Sequence, residues 1–279
     1  MTTVREAADD ARRKLMGAGI ETAALDARLL LQAATGLRHQ ELVADPDHII
    51  HGGDGQELQA MVERRVAHEP VSRILGRREF YGRTFNVTSA VLDPRSDTET
   101  LIEAALKYVR PDARILDLGT GAGAIIVTLL AECPAATGVA TDLSADALSV
   151  AKGNAVRLGV AERLQWVHCS WFDAVTGTFD LIVSNPPYIP LSDFANLPLA
   201  VRGFDPLLAL DGGPDGIEAY RRIAAGAEAH LAPSGRLLVE IGSGQQGEVS
   251  AVFAASGFSL ETPRIDLAGH VRCLVFTRS

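Results

Sequence analysis

Apolar residues in the first seventy positions recur at helical spacing. Val4, Ala8, Ala11 and Leu15 share one face of a first helix, and Gly17 with Gly19 ends it. Thr22 stands where a cap belongs, ahead of a second helix whose apolar face includes Leu25, Leu29 and Leu30. A short helix is expected near Gln40 to Val43, before Pro46, and another from about Gln56 to Ala67, before Pro70. The spacing predicts a small helical bundle. From Ser72 to Leu92 the pattern changes. Phe80, Tyr81, Phe85, Val87, Val91 and Leu92 sit around Gly82, as in a β-hairpin connector.

Further on, short apolar runs alternate with helical ones. Arg114 to Leu118, Thr137 to Thr141, Leu164 to His168, Phe179 to Ser184 and Arg236 to Ile241 read as strands. Helical segments separate the first three, as βαβ units require. Val271 to Phe276 follows Phe258 to Leu260 after a short loop, which favours an antiparallel last pair. The expected fold is therefore α/β, a Rossmann-like domain with a mostly parallel sheet and an antiparallel last strand. The expected boundaries are a helical domain over 1–70, a connector over 71–93 and the Rossmann-like domain over 94–279.

Composition narrows the picture. A chain of 279 residues, 47% hydrophobic and 22% charged, has room for one large core and a smaller one. No apolar run approaches the roughly 18 residues of a membrane span. Met1 to Asp10 is polar and acidic, unlike a signal peptide, so a cytoplasmic location is expected. Cys133, Cys169 and Cys273 are too few for a disulfide framework and read as three buried thiols. The seven histidines lack ligand spacing, and no metal is implied. The net charge of −9 argues against direct nucleic-acid binding. The one local basic cluster, Arg73, Arg77, Arg78 and Arg83, reads as a solvated face of the hairpin segment.

Two loops carry candidate chemistry. The first, Asp117-Leu118-Gly119-Thr120-Gly121-Ala122-Gly123, follows a strand and opens a helix from Ala124 to Ala131. Its glycines permit a tight turn and close approach to a ligand. The spacing is G-x-G-x-G, and Asp142 ends the next strand, where a carboxylate can take both ribose hydroxyls of an adenosine. This favours S-adenosylmethionine over a dinucleotide. The second loop, Asn185-Pro186-Pro187-Tyr188, closes the fourth strand. Ligands of open α/β sheets sit beyond the carboxyl ends of strands, so this loop should face the cofactor. Its prolines have fixed φ and no N–H, leaving the Asn185 and Pro186 carbonyls rigid and free to accept. A side-chain oxygen of Asn185 and the Pro186 carbonyl could each accept one N–H of a target NH₂, with Tyr188 stacking on a flat amide or base.

These residues resemble the PrmC/HemK family of glutamine methyltransferases, from about residue 69 to the carboxyl terminus. The resemblance includes Glu69-Pro70-Val71, Arg78-Glu79-Phe80-Tyr81-Gly82, Pro94-Arg95, Asp97-Thr98-Glu99, Ile115 to Ala124, Ser184 to Ile189, Phe204-Asp205-Pro206 and Leu208 to Gly213. It implies a class I S-adenosylmethionine methyltransferase that modifies the glutamine amide in the Gly-Gly-Gln motif of class I peptide chain release factors. The demethylated product would be S-adenosylhomocysteine. It implies cofactor contacts from Gly119, Thr120, Gly121, Ala122, Gly123, Asp142, Trp171 and Asn185, with Asp117 shaping the pocket. Asn185, Pro186, Pro187 and Tyr188 would hold the glutamine, and Asn185, Pro186 and Tyr188 would carry the catalysis. Phe80, Arg95 and Thr98 would line or brace the site. The helical bundle would dock the substrate, and the enzyme is expected to act as a monomer. Ser96 replaces the family's usual proline, and a branch acting on a large-subunit ribosomal protein often has serine there. An adenine amino-methyltransferase of nucleic acid and an idle cofactor binder are the other readings.

Overall fold

A computed structural model describes residues 2–279; Met1, the first residue of the polar segment Met1 to Asp10, lies outside the described residues. The chain divides into two compact units. One holds the chain up to Arg77 with Pro198–Phe204, the other Arg78–Leu197 and Asp205–Ser279.

The first unit is a helical bundle. A two-residue strand β1 (Thr2–Thr3) leads into α1 (Val4–Gly17), followed by α2 (Ala23–Thr35), α3 (His39–Ala44), β2 (Ile49–Ile50), α4 (Gly52–Val66) and α5 (Val71–Leu75). Thr3 caps α1 with a capping box, its hydroxyl accepting from the Glu6 N–H while Glu6 accepts from the Thr3 N–H. Val4, Ala7, Ala11 and Leu15 face a core with Leu30, Leu31, Leu58 and Val62. Arg65 pairs with Asp26 at 2.7 Å beneath this surface. Three expectations need correction. Thr22 does not cap α2 by its side chain, because its hydroxyl donates instead to the Asp26 carboxylate at 2.9 Å. Leu25 is exposed, and the buried stripe of α2 is Ala23, Ala27, Leu30, Leu31 and Ala34. Helix α4 begins one turn earlier than expected, because Gly52 and Gly53 enter the helix rather than forming a turn.

A hairpin follows, β3 (Arg77–Phe80) and β4 (Arg83–Asn86), turning at Tyr81 and Gly82, both at positive φ. Arg73 lies on α5, outside this hairpin.

The second unit continues with α6 (Glu99–Leu106), β5 (Arg114–Leu118), α7 (Ala124–Glu132), β6 (Thr137–Asp142), α8 (Ala145–Arg157), β7 (Leu164–His168) and β8 (Phe179–Ser184). The short α9 (Leu199–Arg202) belongs to the first unit. Then come α10 (Glu218–His230), β9 (Leu231–Glu240), α11 (Gln246–Ala255), β10 (Phe258–Ile265) and β11 (Val271–Arg278). The seven strands lie in the order β10-β11-β9-β8-β5-β6-β7. β7, β6, β5, β8 and β9 run parallel; β11 runs antiparallel to β9, and β10, antiparallel to β11, completes the edge.

Side chains alternate across this sheet, as the two-residue period of a strand requires. Ile115, Leu181, Val183 and Leu238 enter one core with Leu101, Ile102 and Ile126 of α6 and α7. Leu116, Ile182, Leu237 and Val239 enter the other with Tyr220, Ile223 and Phe253 of α10 and α11. Strands covered on both faces read as continuous apolar runs, which is why these segments stood out in the sequence. Two strands are longer than expected. β9 starts at Leu231, with an irregularity in its pairing between Phe179 and Leu181 that absorbs Pro233 to Gly235. β10 runs on to Ile265 through Pro263, which an edge strand tolerates. Of the cysteines only Cys273 is buried; Cys133 and Cys169 are partly exposed, a correction to the expectation of three buried thiols. Among the described residues no helix is long and apolar enough to cross a membrane, and no group of His, Cys, Asp or Glu could hold a metal.

Candidate active site

The chain enters the sheet at β5, adds β6 and β7 on one side, then returns to place β8 on the other side of β5. Such a switch of direction opens a crevice at the carboxyl ends of the two central strands. Leu118 pairs with Ser184 at that end, and the Ser184 hydroxyl donates to the Leu118 carbonyl at 2.8 Å. The Gly-rich loop and the Asn-Pro-Pro-Tyr loop therefore leave the sheet side by side, although 66 positions separate these two residues.

Between them lies a cavity of about 620 Å³. Gly119 and Gly121, at φ +69° and +55°, form its floor; a Cβ on either would meet no atom within 4 Å, so backbone conformation rather than space demands glycine there. Gly123 has a further reason, because a Cβ there would press on Ala151 and Val127 at 3.2 and 3.3 Å where α7 meets α8. Thr120 donates to Asp117 at 2.6 Å, and its N–H donates to the Thr141 carbonyl at 2.8 Å. Asp117 is fully buried; burial lifts its carboxyl to about 7, against the pull of the Thr120 hydroxyl and the Ile126 N–H. It braces the loop from below and does not line the cavity.

Asp142, at the end of β6, is held from both sides. Its Oδ2 accepts from the Gly121 N–H at 2.9 Å and its Oδ1 from the Ser144 N–H at 2.8 Å. Burial raises its pKa, opposed by these backbone bonds. Trp171 also lines the cavity, in a left-handed backbone conformation, φ +44°, which a non-glycine residue adopts only when its surroundings impose it. Among the charged lining residues carboxylates predominate: Asp93, Asp142, Asp146, Asp211 and Glu218 against Arg95 and Arg222. Arg95 is engaged by the buried Asp205 at 2.6 Å.

The structure distributes the expected residues as follows. Gly119, Thr120, Gly121, Ala122, Asp142, Trp171, Asn185 and Pro187 line the cavity, with Arg95 and Thr98. Gly123 and Pro186 are buried beside it. Phe80 packs edge-on against Phe85 in the core, so it braces and does not line. Tyr188 is partly buried against the α10–α11 core, and burial first of all, then the nearby Glu240, lifts its hydroxyl to about 12.

Three supports hold the second loop from distant parts of the chain. Gln245 donates to the Tyr188 carbonyl at 3.0 Å while accepting from the Gly242 N–H at 2.9 Å. The segment at Leu210–Gly213 zips onto the loop: Ile189 N–H donates to the Leu210 carbonyl, and Gly212 N–H to the Ile189 carbonyl. Last, the Asn185 NH₂ donates to the Thr98 hydroxyl at 3.1 Å, and Thr98 donates to the buried Glu240 at 2.6 Å.

This sheet order, with a glycine turn after its first central strand and an acid ending the next, defines a class I S-adenosylmethionine-dependent methyltransferase. A methyltransferase from Pyrococcus furiosus has the same fold, with a TM-score of 0.55 at 18% identity over 78% of this chain and 96% of that one. The pattern of the methyltransferase small domain matches residues 91–194, and that of the PrmC N-terminal domain matches residues 6–76. A release factor glutamine methyltransferase of Agrobacterium fabrum is 45% identical over 96% of this chain and 95% of that protein. One from Cereibacter sphaeroides is 49% identical over 93% and 92%. The chain belongs to the release factor glutamine methyltransferase family.

The cavity fits the cofactor of that class. S-adenosylmethionine brings a sulfonium cation and a ribose, and the lining offers excess carboxylate and an Asp142 presented by backbone N–H groups. Drug-sized ligands occupy pockets of roughly 300–1,000 Å³, a range that includes this one.

Proposed function

We propose that this enzyme methylates the side-chain amide nitrogen of the glutamine in the Gly-Gly-Gln motif of class I peptide chain release factors. The observation that carries the reading is the orientation of Asn185. Its NH₂ is spent on Thr98, so its oxygen remains for a donor in the cavity. An amide nitrogen is a poor nucleophile, because its lone pair is delocalised into the carbonyl. Asn185 Oδ1 and the Pro186 carbonyl would each accept one of its N–H groups, favouring the pyramidal nitrogen that develops in the transition state. Bound S-adenosylmethionine supplies a methyl group already activated by its sulfonium. Held reactants of this kind can gain roughly 7–11 kcal/mol from positioning alone. No strong general base is required if the proton leaves after transfer.

In this reading Gly119 to Gly123, Asp142, Trp171 and Asn185 hold the cofactor, with Asp117 bracing the loop through Thr120. Asn185 to Tyr188 hold the glutamine, and the helical bundle docks the rest of the release factor. In this reading the enzyme acts as a monomer. The acidic lining favours a cationic cofactor and disfavours a phosphate backbone. Ser96 supports a second reading, in which the protein substrate is a large-subunit ribosomal protein.

The test is methyl transfer from labelled donor to purified release factor, ribosomal protein and duplex DNA in separate reactions. Label on the release factor that disappears when its Gly-Gly-Gln glutamine is replaced is the expected result. Label on the ribosomal protein keeps the chemistry and changes the substrate, and label on DNA alone overturns the reading.

A further inference from the structure

Glu240 ends β9 with only 1% of its surface exposed. Leu238 faces the α6 core and Val239 the other, so alternation sends Glu240 to the α6 side, where Thr98 stands just before the helix. Thr98 Oγ1 lies 2.6 Å from Glu240 Oε2 and 3.1 Å from Asn185 Nδ2. A hydroxyl has one proton and an ionised carboxyl has none. Thr98 must therefore donate to Glu240, and only a donor can satisfy the Thr98 oxygen from the Asn185 side. The Asn185 NH₂ turns to Thr98 and its oxygen to the cavity.

We propose that Glu240 is a positioning residue for methyl transfer, acting through Thr98 to hold the Asn185 amide with its oxygen toward the substrate. The proposal rests on the target being an amide nitrogen, whose N–H groups need that oxygen. When Glu240 is protonated the chain of bonds can reverse. Its O–H then donates to Thr98, Thr98 donates to Asn185 Oδ1, and the Asn185 NH₂ faces the target donor to donor.

Burial lifts Glu240 to about 7, with Asp97 adding to the rise, while Thr98, Arg272 and Asn185 oppose it. The other groups around it are Tyr188, Tyr220, whose hydroxyl donates to the Glu240 carbonyl at 2.8 Å, and Cys273, its partner in register on β11. Burial holds Tyr188, Tyr220 and Cys273 in their protonated forms near neutral pH, and Arg272 is raised further by Asp97 and Asp266 despite its own burial.

The experiment measures kcat of the full chain on a class I release factor from about pH 5.5 to 9, with cofactor affinity measured alongside. The wild type should lose rate as pH falls through about 7. Thr98→Val, which keeps shape and removes the hydroxyl, should lower kcat roughly 10- to 100-fold, the worth of one hydrogen bond to a charged group. It should also lose the acid limb and keep its cofactor affinity, and Thr98→Ser should restore both rate and limb. Glu240→Gln should flatten the same limb and serves if Thr98→Val does not fold. Wild-type kcat with an unchanged acid limb in either variant overturns the proposal, as does a rate loss matched by an equal loss of cofactor affinity. Absence of methylation by the wild type would instead overturn the substrate reading beneath it.

Discussion

Gly212 lies against the backbone of Tyr188 so closely that a Cβ there would come within 2.8 Å of the tyrosine Cα and carbonyl carbon. The same placement would bring it to 2.8 Å from the Gly216 Cα, so no flexible side-chain end can yield. The Asn-Pro-Pro-Tyr loop thus owes its position to a second loop 24 residues away, which joins it through the Ile189 and Gly212 hydrogen bonds.

Gly212→Ala should consequently shift the reacting loop. We expect a loss of roughly 1–3 kcal/mol in stability, the usual cost of overpacking, with a larger fall in kcat than in cofactor affinity. Urea denaturation and steady-state kinetics check this. A stable variant with wild-type kcat would show that the loop does not depend on that contact.

Asn185→Ala removes the oxygen offered to the target amide. Single-turnover methyl transfer should fall about 100-fold or more, a loss confined to the chemical step. Cofactor affinity should fall far less. A transfer rate near wild type would rule out the amide grip.

Asp142→Ala acts on the other partner. The carboxylate fixed by Gly121 and Ser144 N–H groups is the proposed ribose acceptor, and a hydrogen bond to a charged group is worth roughly 1.5–3 kcal/mol. Calorimetry should show the dissociation constant of S-adenosylmethionine rising about 10- to 100-fold. An unchanged constant would remove Asp142 from cofactor binding.

Two buried carboxyls give the fold an unusual pH dependence. Asp117 and Glu240 are each lifted to about 7, from 3.8 and 4.5, chiefly by burial. The native state then holds more protons than the unfolded chain between those values, so their contribution to stability falls as pH rises through that window. Urea midpoints of the cofactor-free protein should be higher near pH 5 than near pH 7.5. Glu240→Gln should reduce the difference. A wild-type slope in that variant would mean that Glu240 does not titrate in this range.

Much of the fold was legible because its strands are buried on both faces. Ile115, Leu116 and Leu118, and the run Leu181 to Val183, are apolar on both faces and need no alternation to be found. The start of β9 was hidden, because Pro233, Ser234 and Gly235 have the composition of a turn and are carried by a pairing irregularity. In the bundle, Leu25 has a core-forming side chain at an exposed position, and only the packing of α2 against its neighbours distinguishes it from Leu31. At the site, glycine spacing and strand ends revealed the two loops. The Thr98–Glu240 bond spans 142 positions, and the Gln245 grip on Tyr188 spans 57. Such bonds leave no local pattern, since each side chain is ordinary in its own segment and gains meaning only when the sheet brings the partners together.

The central claim concerns which atom receives the methyl group. The direct measurement is mass-spectrometric mapping of a class I release factor after incubation with this enzyme and S-adenosylmethionine. The account predicts one added methyl, on the side-chain amide of the Gly-Gly-Gln glutamine, and its loss in Asn185→Ala. A methyl group at any other residue, or one retained at full yield in that variant, would contradict it.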